Sequence, residues 1–325
     1  MRKLIAIFIV LTITENLISD VSNIYETLRN TTVRVNIWEN YDNDDAEVYL
    51  RGSGIILNKV NDTYFILTNA HVILEDYCFL YVTEYEDCED TFYDDSLTIV
   101  IDTIDSKHEY PVYYDDIIYW EDRDLAVIAL NESTYTEKTN FQTIEVSGGI
   151  VEPLQSVYVS GFPLVTGNFG DYGGLFVDVC VINSYTLDEE GMNDLAGYEV
   201  YHSCSVAGGM SGGPLVNNKG MLIGVNGMVG MPTIDEGWFS HSHLDYDDQN
   251  FSYSIDIWQL YNGVIFGLPD NFNSKNKFYN FLPRLEYAGN EELYYWLKET
   301  VNNSDVNRSE MSQRIDFVFK NNPKN

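Results

Sequence analysis

The stretch Gly208-Gly209-Met210-Ser211-Gly212-Gly213-Pro214-Leu215 sets four glycines around one serine and then runs into an apolar segment of β type. Glycine accepts positive φ without a Cβ clash, so this run predicts a tight turn ahead of a strand over Pro214–Val216. Working outward, the same arrangement of a chemically active residue at a strand edge occurs twice upstream. Thr68-Asn69-Ala70-His71-Val72 follows the apolar run Tyr64–Leu67, and Asp122-Arg123-Asp124-Leu125-Ala126-Val127 opens another.

From about residue 30 to 260 the chain is a series of short runs rich in Val, Ile, Tyr and Phe, separated by Gly, Asn and Asp clusters. Thr32–Trp38, Glu47–Leu50, Gly54–Leu57, Phe79–Thr83, Leu97–Ile101, Leu125–Leu130, Ser156–Ser160, Leu175–Asn183, Glu199–Cys204 and Met221–Asn226 are examples. Many short strands with turn signals and few helical stretches predict an all-β sandwich or barrels. Two acidic inserts, Glu84–Asp95 and Asp235–Asp248, read as exposed loops. The last 60 or so residues change character. Glu291–Val301 has a helical pattern and the end is polar, so 266–325 reads as a small helical or extended appendage with a frayed tail.

His71, Asp124 and Ser211 match one another chemically. A serine hydroxyl is a poor nucleophile at neutral pH and needs an adjacent base. An imidazole can take that proton and return it to a leaving group, and a buried carboxylate fixes its tautomer. The tetrahedral intermediate needs backbone N–H donors, which glycines beside the serine allow to converge. Singly, each residue has a plainer reading: a structural histidine, a capping aspartate, a glycine turn. Together, each at a strand edge in one β-rich region, they point to nucleophilic catalysis.

The whole chain bounds the answer. It has 325 residues, 45% of them hydrophobic and 14% aromatic, a folded composition long enough for one large or two modest domains. Lys and Arg number 18 against 51 Asp and Glu, a net charge of −33 that repels phosphate backbones and argues against nucleic acid as a partner. At the start, Arg2 and Lys3 precede the apolar run Leu4–Ile13, the size of a signal-peptide core, although Leu17 and Ser19 make a poor cleavage site. Residues 1–20 are expected to be a signal peptide or an uncleaved anchor, and the mature protein secreted or extracytoplasmic. No later stretch reaches membrane-spanning length. Cys78, Cys88, Cys180 and Cys204 allow two disulfides in three connectivities, or free thiols, and none has the spacing of a thiolate metal site. N-x-S/T sequons fall at Asn30, Asn61, Asn131, Asn250, Asn302 and Asn307.

The motifs resemble those of the chymotrypsin-like (trypsin-like) serine proteases, and within them the Deg/HtrA branch. Gly52-Ser53-Gly54-Ile55-Ile56-Leu57 resembles that branch's G-S-G strand. Thr68-Asn69-Ala70-His71-Val72, Asp124-Leu125-Ala126-Val127, Gly161-Phe162-Pro163 and Ser211-Gly212-Gly213-Pro214-Leu215-Val216-Asn217, then Gly220 and Ile223-Gly224-Val225-Asn226, resemble its further motifs. Phe251–Leu260 resembles the segment that opens the closing helix. The resemblance covers about residues 30–262 and places the protease domain at 25–265.

It implies two six-stranded antiparallel β-barrels with the site between them. His71 and Asp124 come from the first and Ser211 from the second. The N–H groups of Gly209 and Ser211 form the oxyanion hole, and Val225-Asn226-Gly227 pairs with a protein or peptide substrate. Ser205, Val206 and the strand Val225–Met228 would line the specificity pocket. Ser205 stands where trypsin has its acid, so a small or medium apolar residue is expected before the cleaved bond. Met210 stands where trypsin has the aspartate that receives a new N-terminus, so activation of that kind is not expected.

No PDZ-like module is recognisable after residue 262. Trimers occur in the branch, but the oligomeric state is not readable here. No cofactor is implied, apart from a structural Ca²⁺ that the acidic loop Glu84–Asp95 could bind. His202 and the pair His241 and His243 could serve a metal but are more often core or surface histidines. Two rival readings stand: a catalytically silent binding protein on the same fold, and a serine esterase. The order His, Asp, Ser in an all-β neighbourhood disfavours the esterase.

Overall fold

The computed structural model describes residues 21–39, 47–74, 97–102, 109–112, 116–135, 141–148, 151–164, 174–185, 198–229, 252–266, 281–286, 291–303 and 308–320. Residues 1–20, expected as a signal segment, both acidic inserts, Cys78, Cys88, His241 and His243 lie outside these residues.

The chain is helical over 21–31 (α1), which the sequence reading did not anticipate. Ile24 and Leu28, one turn apart, are buried in the core that includes Leu222 of the second β unit. Thr31 Oγ1 donates to the Thr27 carbonyl (2.8 Å) where the helix gives way to the first strand.

The first unit is an antiparallel sheet of seven strands: β1 (Thr32–Glu39), β2 (Glu47–Val60), β3 (Thr63–Thr68), β4 (Leu97–Asp102), β5 (Glu109–Val112), β6 (Ile117–Trp120) and β7 (Leu125–Asn131), in the order β5-β4-β1-β2-β3-β7-β6. The two expected runs Glu47–Leu50 and Gly54–Leu57 are one long strand. The sheet curls until its ends approach, but no ladder closes it among the described residues, in contrast to the six-stranded barrel expected. Pro111 offers one reason. It sits in β5 and has no N–H to donate, and proline is confined to sheet edges. Its carbonyl instead accepts from the Tyr135 hydroxyl (2.5 Å) beyond β7, and the Tyr110 and Tyr135 rings meet edge to face at 5.1 Å.

The second unit is a closed six-stranded barrel, as expected. Its strands are β8 (Ser156–Gly161), β9 (Phe176–Tyr185), β10 (Val200–His202), β11 (Pro214–Asn217), β12 (Leu222–Val229) and β13 (Ser252–Asp256), in the order β10-β13-β12-β11-β8-β9. Cys180 on β9 and Cys204 just past the neighbouring β10 form a disulfide.

After β13 come α2's larger counterparts at the C-terminal end, once the single turn α2 (Ala70–Ile73) is counted: α3 (Ile257–Phe266), α4 (Glu291–Asn303) and α5 (Arg308–Val318), with the short parallel pair β14 (Leu285–Glu286) and β15 (Phe319–Lys320). The described part of the expected appendage is packed into the main core. Phe281, Leu297, Ile315 and Phe319 share one buried cluster with Leu67 and Val127 of the first unit and Val225 and Tyr253 of the second. Asn58 Nδ2 donates to the Phe281 carbonyl (3.0 Å) and Arg314 Nη1 to the Val264 carbonyl (3.0 Å). Burying a side chain the size of Leu or Phe contributes roughly 1.5–3 kcal/mol, so these residues brace both units together.

Candidate active site

His71 stands on α2, directly after β3. The Asn69 side chain does not cap this turn. Its Nδ2 donates to the Asp124 carbonyl (3.0 Å), tying the histidine's turn to the aspartate's. Asp124 follows a 3₁₀ turn (Glu121–Arg123) and adopts φ 47°, ψ 43°, a left-handed conformation that Asp tolerates better than most residues. That bend turns its carboxylate toward His71. Oδ1 accepts from the His71 N–H (2.9 Å) and Oδ2 pairs with His71 Nδ1 (2.7 Å). The same Oδ2 accepts from the Tyr198 hydroxyl, at the entry to β10. Asp124 is 2% exposed, whereas His71 is only part-buried. With Nδ1–H directed at a carboxylate, Nε2 carries the lone pair, as a general base requires.

Ser211 sits at the apex of the glycine turn before β11, and its hydroxyl donates to the Gly227 carbonyl of β12 (3.1 Å). Gly212 has φ +85°, and a Cβ there would lie 2.0 Å from the Ser53 carbonyl oxygen and 2.2 Å from Thr68 Oγ1. The first unit presses so closely on the turn that only glycine fits. Gly209 has φ +87°, and a Cβ there would lie 2.6 Å from the Phe162 carbonyl oxygen. Backbone bonds lock the turn: Met210 N–H to Ala207, Gly213 N–H to Met210, Gly212 N–H to Asn226 and Asn226 N–H to Gly213, at 2.7–3.0 Å. The N–H groups of Gly209 and Ser211 have no backbone acceptor among the described residues, so both can serve an incoming oxyanion.

Ser53, noted in the sequence only as part of a motif, joins the two units beneath this turn. Its N–H donates to the Ser211 carbonyl (2.7 Å) and its Oγ to the Gly209 carbonyl (2.8 Å). Its Oγ accepts from the Phe162 N–H (2.9 Å) and its carbonyl accepts from Thr68 Oγ1 (2.7 Å).

The residues expected to meet substrate separate into two groups. Val225 is fully buried in the shared core. Asn226 is fully buried too. Its backbone is engaged in both directions by the glycine turn, and its Nδ2 donates to the Met210 carbonyl (3.2 Å). The Asn226 side chain holds the nucleophile's turn, the Val225 side chain fills the core, and neither has free surface for a ligand. Gly227 and Met228 are half-buried beyond the last β11 pairing, where β12 keeps its β13 partner but has no strand on its other edge among the described residues. Ser205 is exposed, with its N–H donated to Asp178 Oδ2 (2.8 Å), and Val206 is half-buried.

Cys180, His202 and Cys204 bring their ligand atoms within 4.8 Å of one another, but the two sulfurs are bonded to each other. His202 is fully buried, with Nε2 on Ser254 Oγ (2.9 Å). Burial pushes its imidazole down to about 4, against a weaker opposing pull from Asp178.

Sequence spacing brought out His71, Asp124 and Ser211. It missed Tyr198 and the bonding roles of Asn69 and Ser53, because a hydrogen bond between segments distant in sequence leaves no local pattern. No curated protein matches the chain. Residues 52–225 match the model of the trypsin-like peptidase domain, a match that spans most strands of both β units and includes His71, Asp124 and Ser211, so the chain belongs to the trypsin-like peptidase domain family.

Proposed function

We propose that the protein is a serine endopeptidase with Ser211 as nucleophile, His71 as general base and Asp124 orienting the imidazole. The observation that carries this reading is the His71–Asp124 geometry: two hydrogen bonds, at 2.7 and 2.9 Å, aim a part-exposed imidazole from a buried carboxylate. Family membership implies protein substrates. The G-S-G and S-G-G-P-L motifs support a place near the Deg/HtrA branch.

In the proposed reaction the Ser211 hydroxyl leaves the Gly227 carbonyl and gives its proton to His71 Nε2 as Oγ attacks the peptide carbonyl carbon. The oxyanion accepts from the Gly209 and Ser211 N–H groups. His71 then protonates the leaving amine, which departs and leaves an acyl group on Ser211. Water, losing a proton to His71, attacks the acyl carbon, and the proton returns to Ser211 Oγ as the acid product leaves. The substrate backbone pairs with the open edge at Gly227 and Met228.

Secretion is part of the proposal. It is supported by the Arg2–Ile13 pattern and by the Cys180–Cys204 disulfide, a bond that persists in oxidising compartments.

A fluorophosphonate probe tests the chemistry. Labelling that maps to Ser211 and vanishes in Ser211→Ala is expected. A folded protein that stays unlabelled would favour the silent binding protein, for which the bond from the Ser211 hydroxyl to Gly227 would be the permanent state.

A further inference from the structure

We propose that Tyr198 is a positioning residue for the His71–Asp124 pair, acting through its hydroxyl on the Asp124 carboxylate. The inference rests on the peptidase reading above and adds a fourth residue to its machinery, one that no motif contains.

Tyr198 belongs to the second unit and Asp124 to the first, so their hydrogen bond crosses the interface on which the site is built. Tyr198 is 4% exposed, so water does not compete freely for either partner. Its hydroxyl donates to Oδ2, the oxygen that also takes His71 Nδ1, while Oδ1 is held by the His71 N–H (2.9 Å). With a donor on each oxygen, the carboxylate cannot rotate about its Cβ–Cγ bond without losing one of them. The oxygen facing the imidazole therefore stays aimed. The phenol also draws charge from Oδ2, which sets how strongly Asp124 holds a protonated His71.

The same ring reaches the substrate side. A Cβ on Gly227 would lie 2.1 Å from the Tyr198 hydroxyl oxygen, so the tyrosine occupies the space that residue 227 leaves by being glycine. The Gly227 carbonyl is the acceptor of the Ser211 hydroxyl. One side chain thus touches the acid and the strand beside the nucleophile. The neighbours of both partners are joined as well. Arg123 Nη1 donates to Gln259 Oε1 (2.7 Å), and Gln259 Nε2 donates to Glu199 Oε1 (2.5 Å). Residues 123–124 and 198–199 are therefore clasped twice, once directly and once through α3. A tyrosine held for packing alone would not need its hydroxyl on the carboxylate.

The test compares wild type with Tyr198→Phe, which keeps the ring and removes the donor. On a peptide substrate, kcat should fall about tenfold, the loss expected for one hydrogen bond to a charged group, with KM within about twofold. Without the donor, Oδ2 holds imidazolium more strongly, so the acid limb of the kcat–pH profile should move to higher pH. Replacing Tyr198 by 3-fluorotyrosine, a stronger donor of nearly the same size, should move it to lower pH, and this variant serves if Tyr198→Phe does not fold.

A folded Tyr198→Phe with unchanged kcat and acid limb overturns the inference. So does lost activity with an unmoved limb in both variants, which would make the residue structural only. If wild type itself is not labelled by fluorophosphonate, the peptidase reading fails separately. The His71 ring titration followed by NMR then decides the positioning role: a midpoint displaced by the substitution supports it, and an unmoved one overturns it.

Discussion

The two sides of the cleft are held by different kinds of bond. On the acid–base side, side chains do most of the holding: His71, Tyr198 and Asn69 converge on Asp124, with backbone bonds from the His71 N–H to Asp124 and from the Asp124 N–H to the Glu121 carbonyl beside them. On the nucleophile side mostly the backbone does it, through the turn bonds from Ala207 to Gly213, the return bonds of Asn226 and the Ser53 N–H on the Ser211 carbonyl, with one side-chain bond each from Ser53 and Asn226. The difference teaches where each function is vulnerable. Changes on the acid–base side should cost rate and leave the fold. Changes in the serine turn should cost the fold as well, because the first unit packs against Gly212 with no room for a Cβ.

The largest expected effect tests the first half of that contrast. Asp124→Asn presents an amide N–H to His71 Nδ1, so Nδ1 must accept and Nε2 carries the proton it ought to receive. The kcat should drop by a factor on the order of 10⁴, while the melting temperature stays within a few degrees. An Asp124→Asn protein that unfolds would break the comparison.

Gly212→Ala tests the other half. Its Cβ would collide with the Ser53 carbonyl at 2.0 Å, in a conformation at φ +85° that alanine avoids. A loss of about 4 kcal/mol or more is expected, read by denaturant unfolding together with lost fluorophosphonate labelling. A variant of wild-type stability would show that the turn yields more easily than its bonds suggest.

A third effect lies away from the cleft and sharpens the contrast by isolating the second barrel. His202 has its folded value lowered to about 4 from an ordinary 6.5. Between those two values the unfolded chain binds a proton that the folded one refuses, so stability falls as pH falls from 6.5 toward 4, by about 3 kcal/mol across the window. Thermal melts of His202→Gln should show a shallower acid loss than wild type. An equal slope would place the acid sensitivity elsewhere.

Ser53→Ala should have the smallest effect of the four. It removes one side-chain bond to the Gly209 carbonyl and one from the Phe162 N–H, but leaves both backbone bonds of residue 53. A loss of about 1–3 kcal/mol in stability and a several-fold lower kcat are expected, from calorimetry and steady-state kinetics. A change in rate without a change in stability would move Ser53 from the scaffold to the oxyanion turn alone.

Much of the fold was legible. Alternating apolar runs marked most of the described strands, and the helical period of Glu291–Val301 marked α4. Nothing local showed that Tyr135 would satisfy the Pro111 carbonyl. Helix α1 escaped notice because the apolar run before it drew the reading toward a signal segment. Val225 and Asn226 were expected at the substrate because their motif lies near it. The structure turns the Val225 side chain to the core and the Asn226 side chain to the serine turn.

The sequence by itself determined what is written in local spacing. Strand periodicity, the glycines that permit a bend, and the three residue types that make a nucleophile, a base and its orienter all lie within short segments. Only the tertiary structure decided which groups meet across the interface: Tyr198 on Asp124, Ser53 under Gly209, and the C-terminal helices in the shared core. Those pairs lie far apart along the chain and come from different units. Their energies depend on burial and direction, and neither quantity exists until the two units have closed on each other.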